Sequence, residues 1–200
     1  VSFDMPPHTP TSVTEPIYDL LVLEDVMPWS YDFIEGVEEV NVWDEVVQTG
    51  LEPGTYAEWK GHTVHLSGEL RHPGLGPFEQ VIQGVVGHCL QIYHDFNHYM
   101  MSFEDQGYRM HRFSTGHYLK EHCDQKRFPD PLHPHTMRKL TMAMYLNDDY
   151  EGGELHFTRR NFTLKPKAGM VAIYPSNFAW PHESKLIKSG TKYSIATWLF

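Results

Sequence analysis

"RKLTMAMYLNDDYEGGELHF" occupies residues 138–157. Its first ten residues alternate with period two, which places Thr141, Ala143 and Tyr145 on one face of an extended strand. The turn-forming run "NDDYEGG" then breaks the pattern before a second short apolar run. A strand over 138–147, a turn and a strand over 154–158 follow. The same period continues on both sides. Strands are expected at 107–113, 117–124, 162–165, 169–174, 178–182 and 192–200, separated by Gly, Asp, Pro and Asn clusters.

Upstream the period changes. "PFEQVIQGVVGHCLQIYHDFNHYMM" has apolar residues at Phe78, Val81, Ile82, Val85, Val86, Leu90, Tyr93 and Phe96, which is helical spacing, with Pro77 suited to the first turn. Ser30 is placed to cap a shorter helix through "YDFIEGVEEV", whose acidic cluster reads as a solvated face. "YDLLVLEDVMP" reads as a strand ended by Pro28. Residues 1–18 read as an irregular Pro/Thr-rich arm, and "GLEPGTYAEWKGHTVHLSG" gives no clear assignment. Helices followed by many short strands predict an α+β chain, with helices packed on a double-sheet β structure. The 200 residues suit one domain, with 1–104 as strand and support helices and 105–200 as the β core. The longest loop of the strand region, 125–137, carries prolines that keep it out of a ladder, and it reads as a lid.

Composition excludes several classes. A net charge of -10 opposes phosphate-backbone binding, so no nucleic-acid partner is expected. No apolar run is long enough to span a membrane, and "VSFDMPPHTP" lacks the features of a secretory signal. Two cysteines, Cys89 and Cys123, make no disulfide framework and point to reduced thiols in a cytoplasmic protein.

The chemistry begins at "HYLKEHCDQKRF" (117–128). His122 and Asp124 would share a strand face. With 14 His and 11 Asp in the chain, about one His-x-Asp is expected by chance, so the pair needs a third partner. A facial triad of two histidines and one carboxylate holds Fe(II) and leaves positions open. His182 can supply the second histidine from another strand. Ten residues later Lys192 opens the alternating set Lys192, Ser194, Ala196, Trp198, on a strand expected to run beside that of His182 through the Gly190 turn. A buried ammonium is costly without an anionic partner, such as a ligand carboxylate, and the alternative is an edge-strand lysine in water. Other histidines carry less. His88, His94 and His98 fit a helix surface, with no third ligand placed to complete a zinc site, and "HPH" at 133–135 fits the lid.

The combination of His-Cys-Asp, a histidine sixty residues after the first and a lysine ten further on resembles the Fe(II)/2-oxoglutarate oxygenases of the prolyl 4-hydroxylase family. "RKLTMAMYLNDDYEGGELHF", "LKPKAGMVAIYPS" and "GTKYSIATW" are similar to the family's core strands, so the resemblance covers about residues 105–200. It implies a double-stranded β-helix, a jelly-roll variant, with supporting helices before it. It implies His122, Asp124 and His182 as ligands of Fe(II), and Lys192 and Tyr145 as partners of the distal carboxylate of 2-oxoglutarate. Thr141 would line the pocket floor, Leu155 would pack against the co-substrate, Trp198 would stand near the metal, and Arg138 would face the substrate. The implied reaction consumes O2 and 2-oxoglutarate, yields succinate and CO2, and hydroxylates a proline-containing peptide or protein, with ascorbate as an accessory reductant. A free amino acid or other small molecule is the alternative substrate. Nucleic-acid dealkylation is opposed by the acidic charge. A cupin-like protein with a dead site is opposed by the intact His122, Asp124, His182 and Lys192.

Two departures stand out. The family's first core strand carries a tyrosine nine or ten residues before the first ligand, where this chain has Phe113 and Arg112. The missing hydroxyl is either absent or supplied by Tyr118. Leu155 stands where many collagen-type members have threonine.

Overall fold

The computed structural model describes residues 5–49, 57–97, 104–125 and 137–200. Fourteen strands and two α-helices form among the described residues. The central strands show why. In β7 (Leu140–Tyr145), Leu140, Met142 and Met144 are buried in a cluster shared with the helices, while Tyr145 belongs to a second buried cluster on the opposite side. Both faces of this strand are covered, so the alternation separates two apolar layers rather than core from solvent.

The chain winds by crossing between two sheets. β5 (Arg109–Ser114), β7, β11 (Val171–Pro175) and β14 (Thr191–Leu199) belong to one sheet, in the order β11-β7-β14-β5. The strands between them, β6 (Tyr118–His122), β9 (Leu155–Phe157), β10 (Phe162–Leu164) and β12 (His182–Ser184), form the facing layer in the order β6-β12-β9-β10. Their pairings are antiparallel. This is a double-stranded β-helix of jelly-roll type, as expected. β1 (Ser12–Ile17) and β2 (Leu20–Glu24) extend the first sheet beyond β11. β3 (Asp44–Gln48) pairs with β4 (Trp59–His65), and β4 pairs with both β5 and β6, joining the two layers.

The helices α1 (Ser30–Val40) and α2 (Gly76–Phe96) cover the outer face of the first sheet. α2 buries Phe78, Val81, Ile82, Val85, Val86, Cys89 and Tyr93, with Leu90 at the edge of the stripe and Phe96 47% exposed at the helix end, past the core. α1 carries one correction. Ser30 is its first helical residue and makes no side-chain cap, because Trp29 holds the N-cap position. Its acidic face is also less solvated than expected: Glu38 accepts bonds from Arg112 and the Tyr193 hydroxyl and ties the helix to the sheet.

Other expectations shift for local reasons. β1 forms in the arm read as irregular. It is an edge strand with mostly exposed side chains, so it has no apolar alternation, and an edge tolerates Pro16. The strand expected at 178–182 instead begins at His182, after Pro181, which offers no N–H to a ladder. β12 and β14 do not run side by side; they lie in opposite layers. β6 ends at His122, so Asp124 sits in a bend beyond it rather than on the strand. Of the lid assigned to 125–137, residues 126–136 lie outside the described residues, as do His98, His133 and His135.

A small second sheet, β8 (Glu151–Gly152) with β13 (Ile187–Ser189), clamps the "NDDYEGG" turn against the approach to β14. Gly152 has φ +80°, and a Cβ there would lie 2.1 Å from the Leu186 carbonyl oxygen. Gly152→Ala should therefore lower unfolding free energy by at least about 1–3 kcal/mol in a denaturant titration. An unchanged midpoint would show that the clamp does not constrain the fold.

Candidate metal centre and co-substrate pocket

The inward faces of the two layers meet around a cavity of about 360 Å³. His122 ends β6, Asp124 follows in the bend, and His182 opens β12; His122 and His182 are direct partners across the antiparallel ladder. Their ring centroids are 4.5 Å apart. Asp124 Oδ1 lies 3.5 Å from His122 Nε2, and its Oδ2 lies 3.4 Å from His182 Nε2. Among the described residues this is the one group of His, Cys, Asp and Glu with ligand atoms all within 4.8 Å of one another.

The local chain fixes both imidazoles. His122 Nδ1 is 2.9 Å from the Lys120 carbonyl oxygen, and His182 Nδ1 is 3.0 Å from that of Trp180. A carbonyl oxygen only accepts, so each Nδ1 carries the proton and each Nε2 lone pair points inward. Asp124 is held from two sides, by Thr141 at its carboxylate and Arg138 at its backbone. Thr141 Oγ1 donates to Oδ2 at 2.6 Å, Ser176 Oγ lies 2.8 Å behind Thr141, and Arg138 donates to the Asp124 carbonyl oxygen at 3.1 Å. Burial pushes the Asp124 carboxyl up, but His182, His122 and Thr141 outweigh it and hold the group well below the usual range. Burial lowers His182 to about 4 against the pull of Asp124. Burial also acts to lower His122, but its contact with Asp124 raises it overall. Two imidazoles with Nε2 turned inward and an ionised carboxylate fit a divalent metal, which would take the place of the proton that Asp124 favours on His122. Ligand atoms on adjacent positions of such an ion stand about 3 Å apart, close to the distances here.

Lys192 stands on β14 between β5 and β7, 2% exposed. Its Nζ donates to the Gly153 carbonyl oxygen at 2.6 Å and to Ser184 Oγ at 3.0 Å, which bridges the two layers. The nitrogen lies 5.2 Å from the Tyr145 ring centroid. Lys192, Tyr145, Leu155, Ser194, Ala196 and Trp198 all line the cavity, together with the triad. The ammonium has one proton left for a ligand. Burial lowers Lys192 from 10.5 to about 7.

The residues read from the sequence therefore converge, but their tasks differ. Thr141 lines the cavity, yet its proton goes to Asp124. Arg138 stacks 3.8 Å over the Trp198 ring and donates to Gln106 Oε1 at 2.9 Å. Tyr118 does not replace the missing tyrosine: its hydroxyl donates to Glu58 at 2.8 Å. On β5 the inward residues are Arg109, His111 and Phe113, and His111 is the polar group at the middle of that face. Burial and the nearby Arg109 and Lys192 lower it to about 3, so it enters the cavity neutral. Period two over 107–113 contained this signal. Tyr174 was also missed; its hydroxyl lies 3.2 Å from His182 Nε2. Both cysteines are free. No helix among the described residues is long and apolar enough to cross a membrane.

Residues 108–200 match the family model of the 2OG-Fe(II) oxygenase superfamily. Prolyl 3-hydroxylase 2 of Homo sapiens is 33% identical over 69 residues, which is 32% of this chain and 10% of that protein. A PKHD-type hydroxylase of Prochlorococcus marinus (strain NATL2A) is 34% identical over 89 residues, 42% of this chain and 37% of the relative. The chain thus aligns with only a minor part of these relatives. The fold is similar to the viral collagen prolyl hydroxylase of Paramecium Bursaria Chlorella virus-1 in its 2OG complex, with TM-score 0.63, 18% identity and coverage of 90% and 95% of the two chains. It is also similar to a prolyl hydroxylase of Trichoplax adhaerens in complex with a hypoxia inducible factor peptide, with TM-score 0.68, 16% identity and coverage of 91% and 83%.

One consequence of the buried lysine is measurable without substrate. Between pH about 7 and 10.5 the unfolded chain holds a proton on Lys192 that the folded chain has released. Stability of the ligand-free protein should therefore rise with pH through that window. Denaturant unfolding at pH 7 and 9 should show a smaller rise for Lys192→Met than for wild type. Equal rises in both would mean Lys192 is not the group.

Proposed function

We propose that this chain, a member of the 2OG-Fe(II) oxygenase superfamily of prolyl hydroxylase type through residues 108–200, hydroxylates prolyl residues of a peptide or protein. One O2 and one 2-oxoglutarate would be consumed per hydroxyl group, with succinate and CO2 released. The observation that carries this reading is the convergence of His122, Asp124 and His182 on the cavity that also buries the Lys192 ammonium.

Fe(II), held by His122, Asp124 and His182, supplies chelation of the 2-oxo acid and activation of O2. The protein supplies the rest. Lys192 pairs with the distal carboxylate of 2-oxoglutarate, and Gly153 and Ser184 aim its third proton into the cavity. Tyr145 flanks that carboxylate and Leu155 packs on the carbon chain between its ends. Neutral His111 offers a hydrogen bond from the β5 side without adding charge. Thr141 and Arg138 keep Asp124 oriented, and Trp198 closes the metal side of the cavity. Ascorbate would serve as reductant to keep iron ferrous. The two free thiols support a reducing, cytoplasmic setting.

A prolyl substrate is supported by the names of the relatives, which include prolyl 3-hydroxylases and a prolyl hydroxylase with a bound peptide. A free amino acid or other small molecule is the second reading, favoured by the modest size of the cavity itself.

The test is to load the protein anaerobically with Fe(II), 2-oxoglutarate and proline-containing peptides, admit air and weigh the products. A gain of one oxygen on proline with matched succinate is expected. Succinate from free amino acids, with peptides untouched, would replace the peptide reading. Lys192→Ala should raise the apparent KM for 2-oxoglutarate about a hundredfold or more, since a buried half-pair is worth roughly 3–5 kcal/mol. His182→Ala should abolish stoichiometric Fe(II) binding. If that variant retains metal and turnover, the triad assignment fails.

A further inference from the structure

Beside the co-substrate cavity lies a second one of about 350 Å³, built from β4, α2 and the segment before β5. The two share a wall of three residues, Arg109, Arg138 and Trp198. This wall, with Gln106 beside it in the second cavity, holds an imbalance. Arg109 Nε, Trp198 Nε1 and Gln106 Nε2 are buried, and none has a hydrogen-bond partner among the described residues. All three residues line the second cavity. All three atoms are donors, so what the wall lacks is an acceptor.

The charge is unbalanced too. Among the described residues no carboxylate pairs with Arg109, whose guanidinium carbon stands 6.0 Å from the Trp198 ring centroid. The carboxylates in the second cavity are engaged elsewhere. Glu79 pairs with Arg71, and Asp105 accepts from the Gly107 N–H at 2.8 Å and the Tyr108 hydroxyl at 2.9 Å. Burial alone lowers Arg109 from its ordinary value. The Nε edge of this half-buried guanidinium is withdrawn from water without an acceptor, and a ligand that brings a carboxylate to it removes that cost. Neither carboxylate of 2-oxoglutarate is free for this task in the reading above, because Lys192 takes one and the metal the other.

Arg138 makes the arrangement rigid. It stacks on Trp198 and fixes Gln106 through Oε1, which leaves the Gln106 amide nitrogen and the indole N–H in set positions. The receptor is thus preorganised on β5, β14 and the segment preceding β5.

We propose that Arg109, Trp198 and Gln106 bind a carboxylate of the substrate, and that the substrate is a peptide with an acidic side chain next to the target proline. The second cavity supports a peptide, because it gives room for chain beyond the shared wall. This inference rests on the prolyl reading for the identity of the reacting residue, but not for the carboxylate.

Isothermal titration with Mn(II) and 2-oxoglutarate present measures binding without turnover. The probes are capped peptides with Glu on either side of proline, their Gln counterparts, and free L-proline. One Glu peptide should bind about ten- to a hundredfold tighter than its Gln partner. In Arg109→Gln that ratio should fall to near one, and Arg109→Lys should restore part of it. Should the variants fail to fold, judged by circular dichroism, the Glu-to-Gln ratio in wild type alone decides. Equal affinity for Glu and Gln peptides, or no binding by any probe, overturns the proposal. Arg109-dependent binding of L-proline alone overturns the acidic-peptide assignment. Mass spectrometry on the same peptides separates the two readings. Equal hydroxylation of Glu and Gln peptides would sink the carboxylate receptor and keep the prolyl hydroxylase. Tight, Arg109-dependent Glu-peptide binding without any hydroxylation would keep the receptor and sink the prolyl reading.

Discussion

The register of β14 is the constraint on which the molecule depends. This strand lies between β5 and β7, so its ladder is satisfied on both edges. Ile195, Thr197 and Leu199 are fully buried toward the helices, while Lys192, Ser194, Ala196 and Trp198 line the cavity. A slip of one residue would exchange these sets. It would drive an ammonium into the helix-facing core and leave Thr191 or Tyr193, according to the direction of the slip, at the place in the cavity that Lys192 holds. The apolar face therefore fixes the position of the functional face, and the energy that locates Lys192 comes mostly from residues that never touch a ligand.

Within that register the two kinds of candidate metal-ligand residue are positioned differently. Each histidine is set by its own strand, through a bond from Nδ1 to the carbonyl two residues back. The ladder then places the two rings opposite each other. Asp124 has no such local support. Its carboxylate and backbone depend on Thr141 of β7, on Ser176 after β11 and on Arg138. The geometry of the triad is therefore most sensitive to the packing of the first sheet against the bend after β6, although two of its three members belong to the second layer.

This division explains what the sequence could reveal. Period two identified most core strands and the inward faces of β7 and β14, because both faces are buried and the pattern is unbroken. The His-x-Asp spacing pointed to Asp124, yet the reason given for it was wrong: a bend, not strand alternation, turns the carboxylate inward. Likewise His182 and Lys192 meet across two layers and not along adjacent strands, as the Ser184–Lys192 bond shows. Spacing survives such errors when both arrangements deliver the side chains to one cavity. β1, β3 and β4 left little trace, since their side chains are mostly exposed or mixed and their stability comes from backbone pairing. His111 shares the period-two face of Arg109 and Phe113, so its inward direction is legible from spacing, whereas its neutral state depends on burial that spacing does not carry.

The distribution of charge along the cavity bears on the order in which ligands can bind. Lys192 sits near neutrality at pH about 7 because burial opposes its charge. A dicarboxylate that reached it would supply the missing counter-charge and draw the proton back, so the proposed binding of 2-oxoglutarate would be linked to proton uptake. Arg109 cannot relieve its burial in that way, because a guanidinium does not give up its proton in this pH range. It remains a fixed positive charge in the shared wall whether or not the co-substrate is present. The cavity thus pairs one cation that adapts to its ligand with one that waits for it. On the proposed reading, that asymmetry would set co-substrate binding deep in the barrel and leave selection of the substrate to the permanently charged wall at its side.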